Sequence, residues 1–184
     1  MYVNRIGVLR DHPDLYGVSV YFQGCDAQPK CFMCHNPETW VVDESFWYER
    51  EDVLKTIDEK LQLLLRSFPK VALSFLGGEP LAPWNREDLS FLSGFFKERY
   101  GERIVTVLFT WRTPKEIVKE NLLEYIQHID EFVLGRYMHA YRREGFPSSK
   151  NQLHLDRRTF ERIVRILERR EQHGSEVLVL KGVR

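Results

Sequence analysis

Apolar positions along the chain follow two different periods, and the switches between them mark out the elements. GVSVYFQG, residues 17–24, alternates and is rich in β-formers, which predicts a strand ending in a glycine turn. Residues 3–8 predict a short strand before it. Val53, Leu54, Ile57, Leu61, Leu64, Leu65 and Phe68 recur at the helical period instead. They predict a helix over 51–68, with acids in its first turn, where the macrodipole favours them, and Pro69 as its stop. VALSFL, residues 71–76, is a buried strand running into Gly77-Gly78-Glu79-Pro80. A helix over about 86–100 closes at Gly101, and RIVTVLFT, residues 103–110, is a further strand. Thr113-Pro114-Lys115-Glu116 opens a helix with an N-cap, a first-position proline and a capping-box acid, and that helix runs to about His128. EFVLG, residues 131–135, is the next strand. Residues 136–155 form a long polar and aromatic segment without a period, the kind of loop that more often has a function than none. Asp156 caps a helix over 157–172, and EVLVLKG, residues 176–182, is a closing strand.

Strands alternating with helices predict an α/β protein with a parallel sheet and right-handed crossovers. Ligands of such sheets gather beyond the carboxyl ends of the strands. Four segments follow strand ends here: the loop after Gly24, Gly77-Gly78-Glu79-Pro80, Thr110-Trp111-Arg112-Thr113, and the chain from Gly135 onwards. They are expected to converge on one face.

Composition narrows the classes further. The 184 residues carry 27 basic and 27 acidic side chains, so net charge argues for neither nucleic acid nor an anionic membrane as partner. No apolar run approaches the ~20 residues of a membrane span. The N-terminus MYVNRIGVLRDHPDL has charges where a signal peptide would be continuously apolar. A soluble cytoplasmic protein is expected, in a compartment where thiols stay reduced.

All three cysteines fall in Gly24–Trp40, GCDAQPKCFMCHNPETW. Three thiols cannot all pair as disulfides, but they can share a metal centre. Cys31-x-x-Cys34 offers two sulfurs from one turn of chain, and Cys25 approaches from the strand end across a five-residue spacer. Thiolates are the usual ligands of iron–sulfur clusters. Three of them on a four-iron cubane leave one iron open to a substrate or cofactor, which a four-thiolate cluster does not. A structural zinc site from Cys25, Cys31, Cys34 and His35 is the competing reading. Against it, Cys34 and His35 are adjacent and there is no second CxxC. The glycines of Gly77-Gly78-Glu79 allow backbone to approach a ligand closely, and the carboxylate can accept hydrogen bonds from an ammonium group. The six histidines, His12, His35, His128, His139, His154 and His173, are scattered, and most read as surface or loop residues. Phe46, Trp47, Tyr48, Tyr137 and Tyr141 read as a docking surface or as core.

A three-cysteine loop after one strand and Gly-Gly-Glu-Pro after the next resembles the radical S-adenosylmethionine enzymes. Cys34-His35-Asn36-Pro37-Glu38-Thr39-Trp40, Ser148-Ser149-Lys150-Asn151-Gln152 and Phe132-Val133-Leu134-Gly135-Arg136-Tyr137 resemble, more narrowly, the activating proteins of anaerobic ribonucleotide reductases. The resemblance implies one radical S-adenosylmethionine domain over 1–184. Its fold would be a partial (β/α) barrel, with a mostly parallel curved sheet and helices on the outside. It implies a [4Fe–4S] cluster on Cys25, Cys31 and Cys34, with S-adenosylmethionine on the fourth iron. Gly77, Gly78 and Glu79 would bind the methionine ammonium, Met33 would pack near the adenine, and Thr110 would contact the nucleoside. Asn151 and Gln152 would be site or partner contacts. The implied activity is an oxidoreductase that places a glycyl radical on the large subunit of the reductase, fed by a low-potential donor such as flavodoxin. Activation of another glycyl-radical enzyme, another small radical S-adenosylmethionine reaction, and a non-catalytic zinc module are the alternatives. Two features depart from the family pattern. The cysteines are spaced CxxxxxCxxC where CxxxCxxC is common, and Thr110-Trp111-Arg112 stands where Thr-Gly-Tyr is frequent.

Overall fold

The computed structural model describes residues 1–181. Six strands form one sheet in chain order: β1 (Val3–Leu9), β2 (Gly17–Phe22), β3 (Val71–Gly77), β4 (Ile104–Thr110), β5 (Glu131–Leu134) and β6 (Leu153–Asp156). The pairings β2–β3, β3–β4 and β4–β5 are parallel, whereas β1 and β6 add antiparallel edges. The sheet is therefore open and mixed, and no barrel closure forms. Closure would need the two edge strands to meet, and each has only one neighbour.

Four helices connect and follow the strands: α1 (Arg50–Leu65), α2 (Arg86–Tyr100), α3 (Pro114–Lys119) and α4 (Arg157–Lys181). Alternation along the strands separates two faces. Val18, Val20 and Phe22 of β2, Leu73 and Phe75 of β3, Leu108 of β4 and Phe132 of β5 share one core with Ile57, Leu92, Ile117 and Phe160 from the four helices. The opposite face carries a smaller cluster of Ala72, Val105, Val107 and Val133, met by Leu15, Phe109 and Phe146. Placing all the helices on one face leaves the other free to line a site. Among the described residues no helix is long and apolar enough to cross a membrane.

Three expected elements come out differently. The helix expected from Thr113 to about His128 stops at Lys119. Asn121 takes a left-handed φ of 56°, Asn121 N–H donates to the Val118 carbonyl, and Leu122 N–H donates to that of Ile117. That is a Schellman ending, with asparagine in the place glycine usually takes. The expected capping box at Thr113 and Glu116 is present. Within the segment read as a loop over 136–155, Leu153–Asp156 forms β6, paired antiparallel to β5. Four residues are too few to show a period, so only the exposed edge of β5 makes them a strand. The third difference is at the end of α4, where residues 176–181, expected within a closing strand over 176–182, instead continue the helix to Lys181. Gly182 lies outside the described residues. Asp156 still begins the helix as expected, its Oδ1 accepting the Thr159 N–H at 2.7 Å.

Candidate functional site

The helix-free face opens as a cavity of about 650 Å³. Its floor includes Tyr21, Leu76, Phe109 and Val133, one residue from each of the four parallel strands. Cys25, Cys31, Cys34, Gly77, Gly78, Glu79 and Thr110 all line it. Met33 does not. Its side chain is 58% exposed and its backbone is left-handed, with φ of 57°.

The cysteine loop is closed at its base by main chain. Gly24 N–H donates to Thr39 O at 2.8 Å and Cys25 N–H to Trp40 O at 3.0 Å, so the CHNPETW segment returns beside the end of β2. Pro37–Thr39 forms a 3-10 turn there, and Thr39 is fully buried. Asn36 N–H points at Cys34 Sγ, 3.4 Å away. The thiols are free and half-buried. Burial pushes the Cys25 thiol up to about 11 and raises that of Cys31 as well. In the metal-free protein these two are therefore protonated, and ligation would release their protons. Among the described residues no three His, Cys, Asp or Glu side chains are gathered to hold a single metal ion. A cubane spreads its thiolates over separate irons, and three thiols along one cavity wall suit that donor set.

The Gly-Gly-Glu turn is packed against the cysteine loop. Gly78 N–H donates to Phe22 O and Glu79 N–H to Gly24 O, both at 2.9 Å. A Cβ on Gly77 would meet the Phe22 backbone at 2.8 Å, and one on Gly78 would overlap the Gly24 carbonyl. The glycines thus admit a neighbouring chain first of all. Beside them, Glu79 is buried, and its Oε1 accepts from Thr110 Oγ1 at 2.7 Å and Leu81 N–H at 3.0 Å. Oε2 accepts from Trp111 N–H at 3.1 Å, and Arg112 Nη1 stands 3.4 Å from Oε1. Burial pushes the Glu79 carboxyl up to about 7, against the pull of Arg112 and of these donors.

Several side chains that sequence reasoning did not single out complete the site. Asn85 donates to Gln23 O and Glu79 O, tying the exit of β2 to the Gly-Gly-Glu turn. Asp26 accepts from Trp111 and Arg112. Burial disfavours the Asp26 carboxylate, but those donors outweigh it and hold its pKa below the ordinary value. Burial likewise opposes the charge on Arg112, while Asp26, Glu79 and Glu120 raise its pKa above that of an ordinary arginine. His12, one of the scattered histidines, is buried at the cavity and sits 3.1 Å from Glu131, which also meets His154 at 2.7 Å. Its nearest signal was its place in a charged turn, which says nothing about burial. Asn151 and Gln152 fold the long loop back, donating to Arg136 O and Gly135 O. Gln152 lines the cavity and Asn151 does not.

The 4Fe–4S single cluster domain family matches residues 16–155. The chain is also 30% identical, over 121 residues, to the anaerobic ribonucleoside-triphosphate reductase-activating protein of Enterobacteria phage T4, covering 65% of this chain and 70% of that protein. No solved structure matches the chain.

Proposed function

The chain belongs to the 4Fe–4S single cluster domain family and to the anaerobic ribonucleoside-triphosphate reductase-activating proteins, and from that premise we propose that it is a radical S-adenosylmethionine activase acting on the reductase large subunit. The observation that carries this reading is that three free thiols and Gly77-Gly78-Glu79 line one cavity. When bound and reduced, the cluster would supply the electron for reductive cleavage of S-adenosylmethionine, the source of the radical placed on a glycine of the partner.

The chain's residues have the remaining roles. Cys25, Cys31 and Cys34 would hold the cluster. Glu79 would accept an N–H of the cofactor's amino group at Oε2, which has one protein donor against several at Oε1. Thr110 fixes that carboxylate through its hydroxyl. Met33, exposed beside the thiols, covers the nucleoside once the cofactor is in place. Tyr137, Phe146 and Gln152, from residues 136–152, line the cavity on a further side, where a bound cofactor would meet them. The protein works as one domain in the cytoplasm, and a flavodoxin-like donor reduces it.

Anaerobic reconstitution with iron and sulfide tests the reading. The expected protein is brown, bleaches in air, and cleaves S-adenosylmethionine when reduced. With the reductase large subunit added, a glycyl radical appears in the electron paramagnetic resonance spectrum. Replacing any of the three cysteines with alanine abolishes cleavage. A colourless protein that binds one zinc tightly would refute the reading, as would full activity in Cys25→Ala.

A further inference from the structure

The spacer between Cys25 and Cys31 is held almost residue by residue. Asp26 accepts from Trp111 Nε1 at 2.9 Å and from Arg112 Nη1 and Nη2 at 3.2 and 2.5 Å. Ala27 is buried. The carbonyls of Gln28 and Pro29 accept from the Arg136 guanidinium at 2.8 and 2.5 Å. Lys30 Nζ returns to the carbonyl of Cys25. Both guanidiniums pack over the Trp111 ring, 4.5 Å from its centroid for Arg112 and 4.9 Å for Arg136. Arg112 is 4% exposed and also meets Glu120 at 2.8 Å and Glu79 at 3.4 Å. One guanidinium therefore joins the residue after the first cysteine to the carboxylate after the paired glycines.

We propose that Trp111, Arg112 and Arg136 are positioning residues that hold the five-residue spacer in the shape that keeps Cys25, Cys31 and Cys34 on one cavity wall. The proposal rests on the cluster reading for its consequence, but not for its contacts. The two departures from the family pattern, the longer spacer and the Trp111-Arg112 pair, touch each other in this fold. The physical case is entropic. Fixing each freely moving residue costs conformational entropy, so a loose five-residue spacer sets a substantial cost against ligation. Charge-assisted and bidentate hydrogen bonds to Asp26 and to two carbonyls order the spacer before any metal arrives. The fork of Arg112 makes two of those contacts at once, which a lysine cannot.

Two measurements test this on the full chain. Lys30 is the only tryptic site inside the spacer. Cleavage there in metal-free protein reports how often the spacer opens, with Lys70, between α1 and β3, as internal reference. Trp111→Ala, Arg112→Met and Arg136→Ala are expected to speed cleavage at Lys30 at least fivefold and to leave Lys70 unchanged, and Arg112→Lys is expected to fall between. After reconstitution, iron bound per chain drops severalfold in the first three variants. In a chain with Gln28 and Pro29 deleted, leaving a three-residue spacer, Trp111→Ala lowers iron loading less than twofold. That coupling between ring and spacer length is one that general destabilisation would not produce. Unchanged cleavage at Lys30, or equal iron losses in the two spacer backgrounds, overturns the proposal. If the shortened chain does not fold, cleavage at Lys30 decides. If the parent chain takes up no iron and sulfide, the cluster reading fails, and the cleavage result still decides whether the brace exists.

Discussion

Gly78→Ala is the sharpest probe of how the site is assembled. The added Cβ would overlap the Gly24 carbonyl oxygen, and it would lie 2.7 Å from the Gly24 carbonyl carbon and 2.9 Å from Thr39 O. All three contacts are backbone, so no side chain can swing aside. The turn must move off the end of β2, weakening the Gly78 N–H to Phe22 O and Glu79 N–H to Gly24 O bonds. Overpacking of this kind costs about 1–3 kcal/mol. Each hydrogen bond adds about 0.5–1.5 kcal/mol. The expected loss is about 2–6 kcal/mol, a large part of a stability of about 5–15 kcal/mol. Urea unfolding of the metal-free protein, followed by tryptophan fluorescence, gives the difference at constant slope. Gly101→Ala is the control. Its Cβ meets nothing within 4 Å, and only its backbone opposes it: φ of 54° with ψ of −129° is a mirror-extended conformation that glycine alone adopts readily, at a cost to alanine of about 1–3 kcal/mol. A Gly78→Ala loss below about 1 kcal/mol would show that the turn is not wedged between Gly24 and Thr39.

The pH dependence of Glu79 gives a second expectation. Its folded pKa of about 7 lies above the ordinary 4.5, so its contribution is fully present below pH 4.5 and is lost as pH rises through 7. The stability of the parent chain relative to Glu79→Gln is expected to fall by up to about 3 kcal/mol across that window, and a flat difference would refute the buried-acid account. At the end of α3, Asn121→Gly relieves a left-handed side chain and is expected to be neutral or to stabilise by up to about 1 kcal/mol, whereas Asn121→Val costs about 1–2 kcal/mol by thermal or urea unfolding. Equal effects of the two substitutions would contradict the Schellman ending.

The amino-acid sequence alone determined the four parallel strands, the helices beside them and the gathering of motifs at strand ends. Hydrophobic periods, capping residues and turn glycines are local signals, and α2 and the capping box of α3 appear where they predict. The three cysteines were legible for the same reason, being concentrated in one loop with a CxxC. Tertiary structure alone decided the rest. Leu153–Asp156 is a strand because β5 offers an edge, and residues 176–181 continue α4 where a strand was expected. Met33 lies outside the cavity because of a local backbone turn that its residue type does not announce. Gly77 and Gly78 are needed for contact with the end of β2, which lies far from them in the chain. Asp26 and Arg112 are 86 positions apart, and nothing local to either reveals that they meet. Sequence pattern reports the face a residue turns to its own element, while the partner across a loop is chosen only when the elements pack.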